Sequence, residues 1–252
     1  MRSAIKLPVP RIHYGILCFD ERGELVWSRD FKNLVVNQGL DYILNIGAVT
    51  GIAVYMGLIT APAPISGESV GTGNGSTVTF THTMANLPVL AGSVSVTAGS
   101  VTGTDNGSGT ISGTGISGTI NYTTGALSVT FTTAPASGTA VTTSYSYAPQ
   151  VAAADTLASH AGWTEFTNYS QTARPTITWG TPSAGSMAGS AVNFSVSGLG
   201  TGVTANIGGA FTASNATIGG TTGNLYSAGA FQGGNAPVSN GYTLSVTPTL
   251  SV

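Results

Sequence analysis

Asp155, His160 and Glu165 fall five residues apart in one short stretch. With Ser159 beside the histidine, these are the residue types of a hydrolase, which needs a nucleophile, a base to take its proton and a group to orient that base. The spacing argues against that chemistry. Ser159 and His160 are chain neighbours whose side chains point apart, and no G-x-S-x-G elbow sits in a strand-turn-helix context. Asp155 as the cap of a helical turn running to His160, ended by Gly162, and His160 as a hydrogen-bonding side chain account for the same residues. No catalytic residue is assigned.

Metal and phosphate chemistry fare no better. His160 and Glu165 lack further ligands nearby, His13 and His82 fall in other elements, and the single Cys18 builds no cysteine site and no intrachain disulfide. Asp105-Asn-Gly-Ser-Gly109 loosely resembles a calcium loop, but one carboxylate falls far short of an EF-hand and the segment reads as a polar turn. The glycines from Gly71 to Gly75 lead into a strand and lack the phosphate-loop pattern. No metal and no cofactor is expected.

Trp163, Phe166 and Tyr169, with Arg174 close behind, admit two readings. Aromatics with an arginine dominate contact hot spots, so Asp155, His160, Trp163, Glu165, Phe166, Tyr169 and Arg174 form the candidate partner contact. The other reading is a packed core in which Arg174 pairs with Asp155 or Glu165. Extended spacing puts Trp163 and Tyr169 on one face and Phe166 on the other.

The elements that position this stretch follow from composition and pattern. Charged residues make up 6% of the 252, against about 25% in ordinary soluble domains. Six of the seven basic residues lie at or before Lys32, interleaved with acids, and none of Asp, Glu, Lys or Arg follows Arg174. A formal net charge of -2 offers no field for nucleic acid. Low charge also favours a subunit that buries surface in an assembly. No run of 18 apolar residues and no apolar leader segment is present, so neither a membrane span nor secretion is expected.

Ile12, Tyr14, Ile16 and Cys18 alternate with His13, Gly15, Leu17 and Phe19, a run apolar on both sides that suits a well-covered strand. The turn Asp20 to Gly23 returns it as a hairpin through Leu25 and Trp27. Asn37, with Leu40, Ile43 and Leu44 at helical spacing before Gly47, predicts one short helix. Ile52 to Ile59 reads as a strand. From about Ile65 to Tyr147 the composition shifts to Gly, Ser and Thr with period-two strands, which indicates a small antiparallel sandwich. Past Pro149 further strands follow at Val192 to Val196, Ile207 to Phe211, Leu225 to Tyr226 and Tyr242 to Val246. The fold class is therefore mainly β. A discontinuous antiparallel β-sandwich domain with one short helix, residues 1–64 and 149–252, carries an inserted immunoglobulin-like β-sandwich, residues 65–148.

Asn33-Leu-Val-Val-Asn-Gln-Gly-Leu40, Tyr55-Met-Gly-Leu-Ile59, Ala154-Asp-Thr-Leu-Ala-Ser-His-Ala-Gly-Trp-Thr-Glu165, Tyr169, Arg174-Pro175 and Gly219-Gly-Thr-Thr-Gly-Asn-Leu-Tyr226 together resemble a group of small structural proteins of tailed bacteriophages. In those, the Gly-Leu-Ile strand leads through a short loop to the Ala-Asp-Thr segment. Here about eighty residues intervene, in keeping with an insertion. The insert, Gly73 to Phe80, Gly118 to Leu127 and Ser144 to Tyr147, resembles β-sandwich modules of phage virion proteins. The resemblance implies a non-enzymatic capsid decoration or cement protein on the outer head surface. Its partners would be the major capsid protein or other virion proteins, in a homo-oligomer with a trimer favoured, and the insert would project outward and be open to a host-surface glycan. A tail, baseplate or host-recognition protein is the alternative.

Overall fold

The computed structural model describes residues 11–36, 39, 53–181, 183–184, 186–231 and 234–251. The chain divides into two compact units, Met1–Ala61 with Val151–Val252, and Pro62–Gln150. The first unit contributes β1 (Arg11–Phe19), β2 (Leu25–Val35) and β3 (Val54–Thr60). The second holds β4 (Ile65–Thr72), β5 (Thr79–Thr83), β6 (Ser95–Ala98), β7 (Val101–Asp105), β8 (Thr110–Gly113), β9 (Ile116–Ile120), β10 (Ala126–Phe131) and β11 (Ala140–Tyr145). The first unit then resumes with β12 (Glu165–Phe166), β13 (Thr176–Ile177), β14 (Ser186–Ala188), β15 (Val192–Ser195), β16 (Ala205–Ala213), β17 (Leu225–Ala230), β18 (Ala236–Val238) and β19 (Thr243–Ser251). Among the described residues every strand pairing is antiparallel, so the mainly-β class holds. The helix expected from Asn37 to Gly47 lies, Gly39 aside, outside the described residues.

The first unit grows from the β1–β2 hairpin. Asp20 Oδ1 accepts the N–H groups of Arg22 and Glu24, and Gly23 takes a φ of 82°, which makes the turn. Tyr14, Ile16 and Cys18 are buried as the alternation requires, but the opposite face is open, with Leu17 43% exposed. Apolar residues on both sides of β1 therefore do not mean cover on both sides. The sheet runs β12-β3-β16-β17-β2-β1-β19-β14, with β13 also on β3 and β15 also on β19. The segment from β12 to β15 thus lines both sheet edges, and the bridges Tyr169↔Val196 and Trp179↔Gly189 bring those edges together around one core.

β3, β16 and β17 are buried on both faces, and their sequences are accordingly near-continuous in small and apolar residues. Met56, Leu58 and Ile207 face the enclosed core, whereas Ile59, Phe211, Leu225 and Ala228 form a second cluster that Leu157 and Trp163 cover. Gly57 is what lets Phe211 lie against β3. A Cβ there would stand 2.2 Å from the Phe211 ring, inside any tolerable contact.

The second unit packs a separate core that includes Phe80, Val96, Ile111, Val129, Phe131 and Tyr145. Its eight strands form one path, β4-β11-β6-β7-β8-β9-β10-β5, where an immunoglobulin-like sandwich divides its strands between two sheets. The run β6 to β10 is a simple meander, as short Gly-, Ser- and Thr-rich turns between successive strands dictate.

Candidate functional site

The stretch rich in chemistry lies on the outer face of β3, β16 and β17. The helical turn expected from Asp155 to His160 does not form; residues 151–164 run as turns and bends. The reason lies in Trp163, which is buried to 4% exposure and must find an acceptor for its indole N–H. Asp155 Oδ2 supplies it at 2.9 Å and also accepts the Ala152 N–H at 3.0 Å, so this carboxylate serves the tryptophan instead of capping a helix. The His160 ring stacks on Trp163 with centroids 3.9 Å apart. Its Nδ1 lies 2.9 Å from the Trp163 carbonyl, which can only accept, so Nδ1 is assigned as the protonated nitrogen.

Arg174 is buried to 2% exposure and holds Glu165 in a fork, Nε to Oε1 and Nη2 to Oε2, both at 2.8 Å. Its other donors reach the carbonyls of Asn215 and Gly220, and its guanidinium lies 5.0 Å from the Phe211 ring centre. Glu165 Oε2 takes one more bond, from the Gly219 N–H at 2.7 Å. Of the two partners open to Arg174, the fold selects Glu165. A nearly dry ion pair persists only when its remaining donors and acceptors are also met, and here the 214–220 loop meets them.

Phe166 and Tyr169 turn the other way. Both join the enclosed core, where Tyr169 packs edge-on against Phe194 at 5.1 Å. The expected sharing of a face by Trp163 and Tyr169 is therefore corrected. Strand pairing lasts only from Glu165 to Phe166, and a tight turn, Tyr169 N–H to Thr167 O, resets the alternation. The Tyr169 hydroxyl is buried without a hydrogen-bond partner among the described residues; burial raises its phenol well above the usual range, the Glu165 charge adds to this, and Arg174 opposes it.

Of the seven candidate contact residues, Asp155, Trp163, Phe166, Tyr169 and Arg174 are buried within this chain, and His160 and Glu165 are partly covered. Around them lies a cavity of about 230 Å³, walled by His160, Trp163, Glu165, Arg174 and Phe211. Its charged groups are already paired, and its hydroxyls, from Thr164, Thr167 and Thr221, have no base aligned on them. The arrangement holds three chain segments together and has no activated nucleophile.

Two features lie elsewhere. Asp105 accepts the N–H groups of Gly92 and Gly107 and the Tyr122 hydroxyl, so its carboxylate organises a polar turn and its oxygens face the protein. Among the described residues no group of three His, Cys, Asp or Glu side chains is placed to hold a metal ion. The other feature is a carboxylate–histidine pair that spacing did not reveal: Glu68 on β4 and His82 on β5, with Nε2 2.6 Å from Oε1. The only signal was the literal elbow pattern Gly67-Glu-Ser-Val-Gly71. It falls inside β4 with no helix after it, and Ser69 is exposed on the face opposite Glu68. A hollow of about 730 Å³ lies beside His82, lined by Thr81, Thr83, Thr119, Asn121 and Ser128.

Set against family models, curated proteins and solved structures, the chain matches none of them.

Proposed function

We propose that this chain is a non-enzymatic structural protein of a tailed-bacteriophage particle, a decoration or cement protein that binds the outer head surface as a homo-oligomer. One observation carries the reading: segments that resemble phage structural proteins, though far apart in sequence, meet in one place. Val36, Ile59, Leu157, Trp163 and Leu225, drawn from four such stretches, share a single apolar cluster. The Pro175 carbonyl accepts the Met56 N–H, while Gly219 and Gly220 bind Glu165 and Arg174. A signature of this kind defines a fold, since its polar members satisfy one another. In this reading the discontinuous unit is the virion-binding domain, and the Pro62–Gln150 unit is the inserted β module.

The hollow lined by threonine, serine and asparagine favours a second reading, a tail or host-recognition protein whose inserted unit meets a neutral glycan. Both are tested on particles of the phage that carries the gene. Mass spectrometry should find the chain in stoichiometric copies, and antibody labelling in electron micrographs should mark the heads. Label on tails selects the second reading. A chain confined to the lysate and missing from particles overturns both.

A further inference from the structure

The exposed charges of the described residues all sit on one hairpin. Arg11, Glu21, Arg22, Glu24, Asp30 and Lys32 belong to β1, β2 or the turn between them, whereas Glu68, Asp105, Asp155, Glu165 and Arg174 are wholly or largely covered and bonded internally. Leu17, Leu25, Val26 and Leu34, four of the six exposed large apolar residues, lie on the same two strands. The pairing registers make part of this a continuous patch. Leu17 and Phe19 follow each other on the outer face of β1, Phe19 stands opposite Leu25, and Leu17 stands between Ser28 of β2 and Ser245 of β19. An apolar patch rimmed by charge marks a contact site, where single scattered apolar residues would not.

We infer that the outer face of β1, β2 and β19 packs against the same face of a second copy of this chain, turned end for end about a two-fold axis over Leu17 and Ser28. The inference rests on the homo-oligomer of the proposed function and names its surface. Charge selects the occupant. Glu21 and Glu24 stand at the turn beside Asp20, while Arg11 and Lys32 stand at the open end of the hairpin, and the exposed set balances, three bases against three acids. A partner of one sign would be drawn to one end and repelled by the other. A second copy reversed along the strands meets each end with its opposite. The spacing agrees with that axis. Lys32 lies four residues to one side of Ser28 and Glu24 four to the other, each about 13 Å along the strand, so the rotation carries Lys32 onto the second copy's Glu24. Leu17 then meets itself at the axis, as an isologous contact requires. β19 adds Ser245, Thr247 and Thr249 to the face and no charge.

Sedimentation of the whole protein from about 1 to 500 µM reads the outcome, since a three-stranded face is a small interface that associates weakly. A reversible rise from monomer to dimer mass is expected. Leu17→Asp sets two carboxylates together at the axis and should weaken association at least about tenfold while melting stays cooperative, because Leu17 belongs to neither apolar cluster of its unit. Lys32→Glu and Glu24→Lys each place like charges across the contact and should weaken it similarly, and an equimolar mixture of the two should restore it. The inference fails if the parent protein stays monomeric throughout, if its dimer survives Leu17→Asp, or if the mixed charge reversals do not recover. A dimer that ignores all three changes keeps the homo-oligomer and moves it to another surface. A Leu17→Asp chain lost from phage particles, with the parent monomeric in solution, makes another virion protein the occupant and overturns the inference. Absence of the parent chain from particles, with the dimer intact, removes the virion reading alone and leaves this contact standing.

Discussion

Glu68 and His82 meet at 2.6 Å across the two end strands of the Pro62–Gln150 sheet, so a side-chain pair joins β4 to β5 where no backbone ladder does. The carboxylate also accepts the Ala85 N–H and the Tyr145 hydroxyl, which ties β11 and the loop after β5 into the same clasp. Burial alone would raise the Glu68 carboxyl. The hydrogen bonds from Tyr145, His82 and Ala85, with the His82 charge, outweigh it and hold the carboxyl below its ordinary value.

That direction fixes a pH dependence. A carboxyl whose folded value is depressed adds stability that is fully present above its unfolded value, near 4.5, and that is lost as pH falls through the lower folded value. Melting temperature measured from pH 7 to pH 3 should therefore drop below about pH 4.5 more steeply in the parent protein than in Glu68→Gln. Parallel curves for the two proteins would show that the clasp is not linked to folding.

The Arg174–Glu165 fork makes a second prediction. Both side chains are nearly dry, so removing one partner strands the other's charge. Arg174→Ala should cost about 3 to 5 kcal/mol in urea unfolding. Arg174→Lys should recover only part of that, because an ammonium cannot span both carboxylate oxygens while reaching Asn215 and Gly220. Full recovery with lysine would mean that the fork geometry is irrelevant.

How much of this was legible in the sequence depends on what each residue had to announce. The β1–β2 hairpin was, because alternation and the Asp20–Gly23 turn are local signals. So were the strands at Phe194, Phe211, Leu225 and Leu244, which carry their own apolar pattern. β4, β7 and β8 were not, since Gly, Ser and Thr fill positions that pair without displaying hydrophobic alternation. The partnership of Arg174 was narrowed to two carboxylates by the scarcity of charge, but the choice of Glu165 rests on Gly219 and Gly220, some fifty residues away. Glu68–His82 was invisible because the turn that brings β4 opposite β5 contains no signal for how far the two strands splay.

Trp163 separates a structural role from a contact role. With its ring against His160 and Phe211 and its indole bonded to Asp155, Trp163→Ala should lower folding stability by about 3 to 5 kcal/mol. Asp155→Ala leaves the indole N–H buried and unmet and should cost about 1 to 3 kcal/mol. If Trp163→Ala melts like the parent yet no longer occupies particles, the residue faces a partner and the packing account is wrong.

Excising the second unit tests whether the first is complete in itself. The chain leaves the first unit at Ala61, whose N–H is held by Asn206 O at 2.9 Å, and re-enters at Val151, which packs against the Trp163 cluster. Both junctions are thus anchored by the first unit's own contacts, and the two units bury separate cores. Replacing residues 62–150 with a short Gly-Ser linker should give a product that is soluble, melts in one cooperative transition and retains the protected Trp163 fluorescence, because a flexible linker closes such a gap at small entropic cost. The excised segment produced alone should show the sharp transition of a packed β unit. An excision product without a cooperative transition would mean that the cores, though separate, depend on each other to fold.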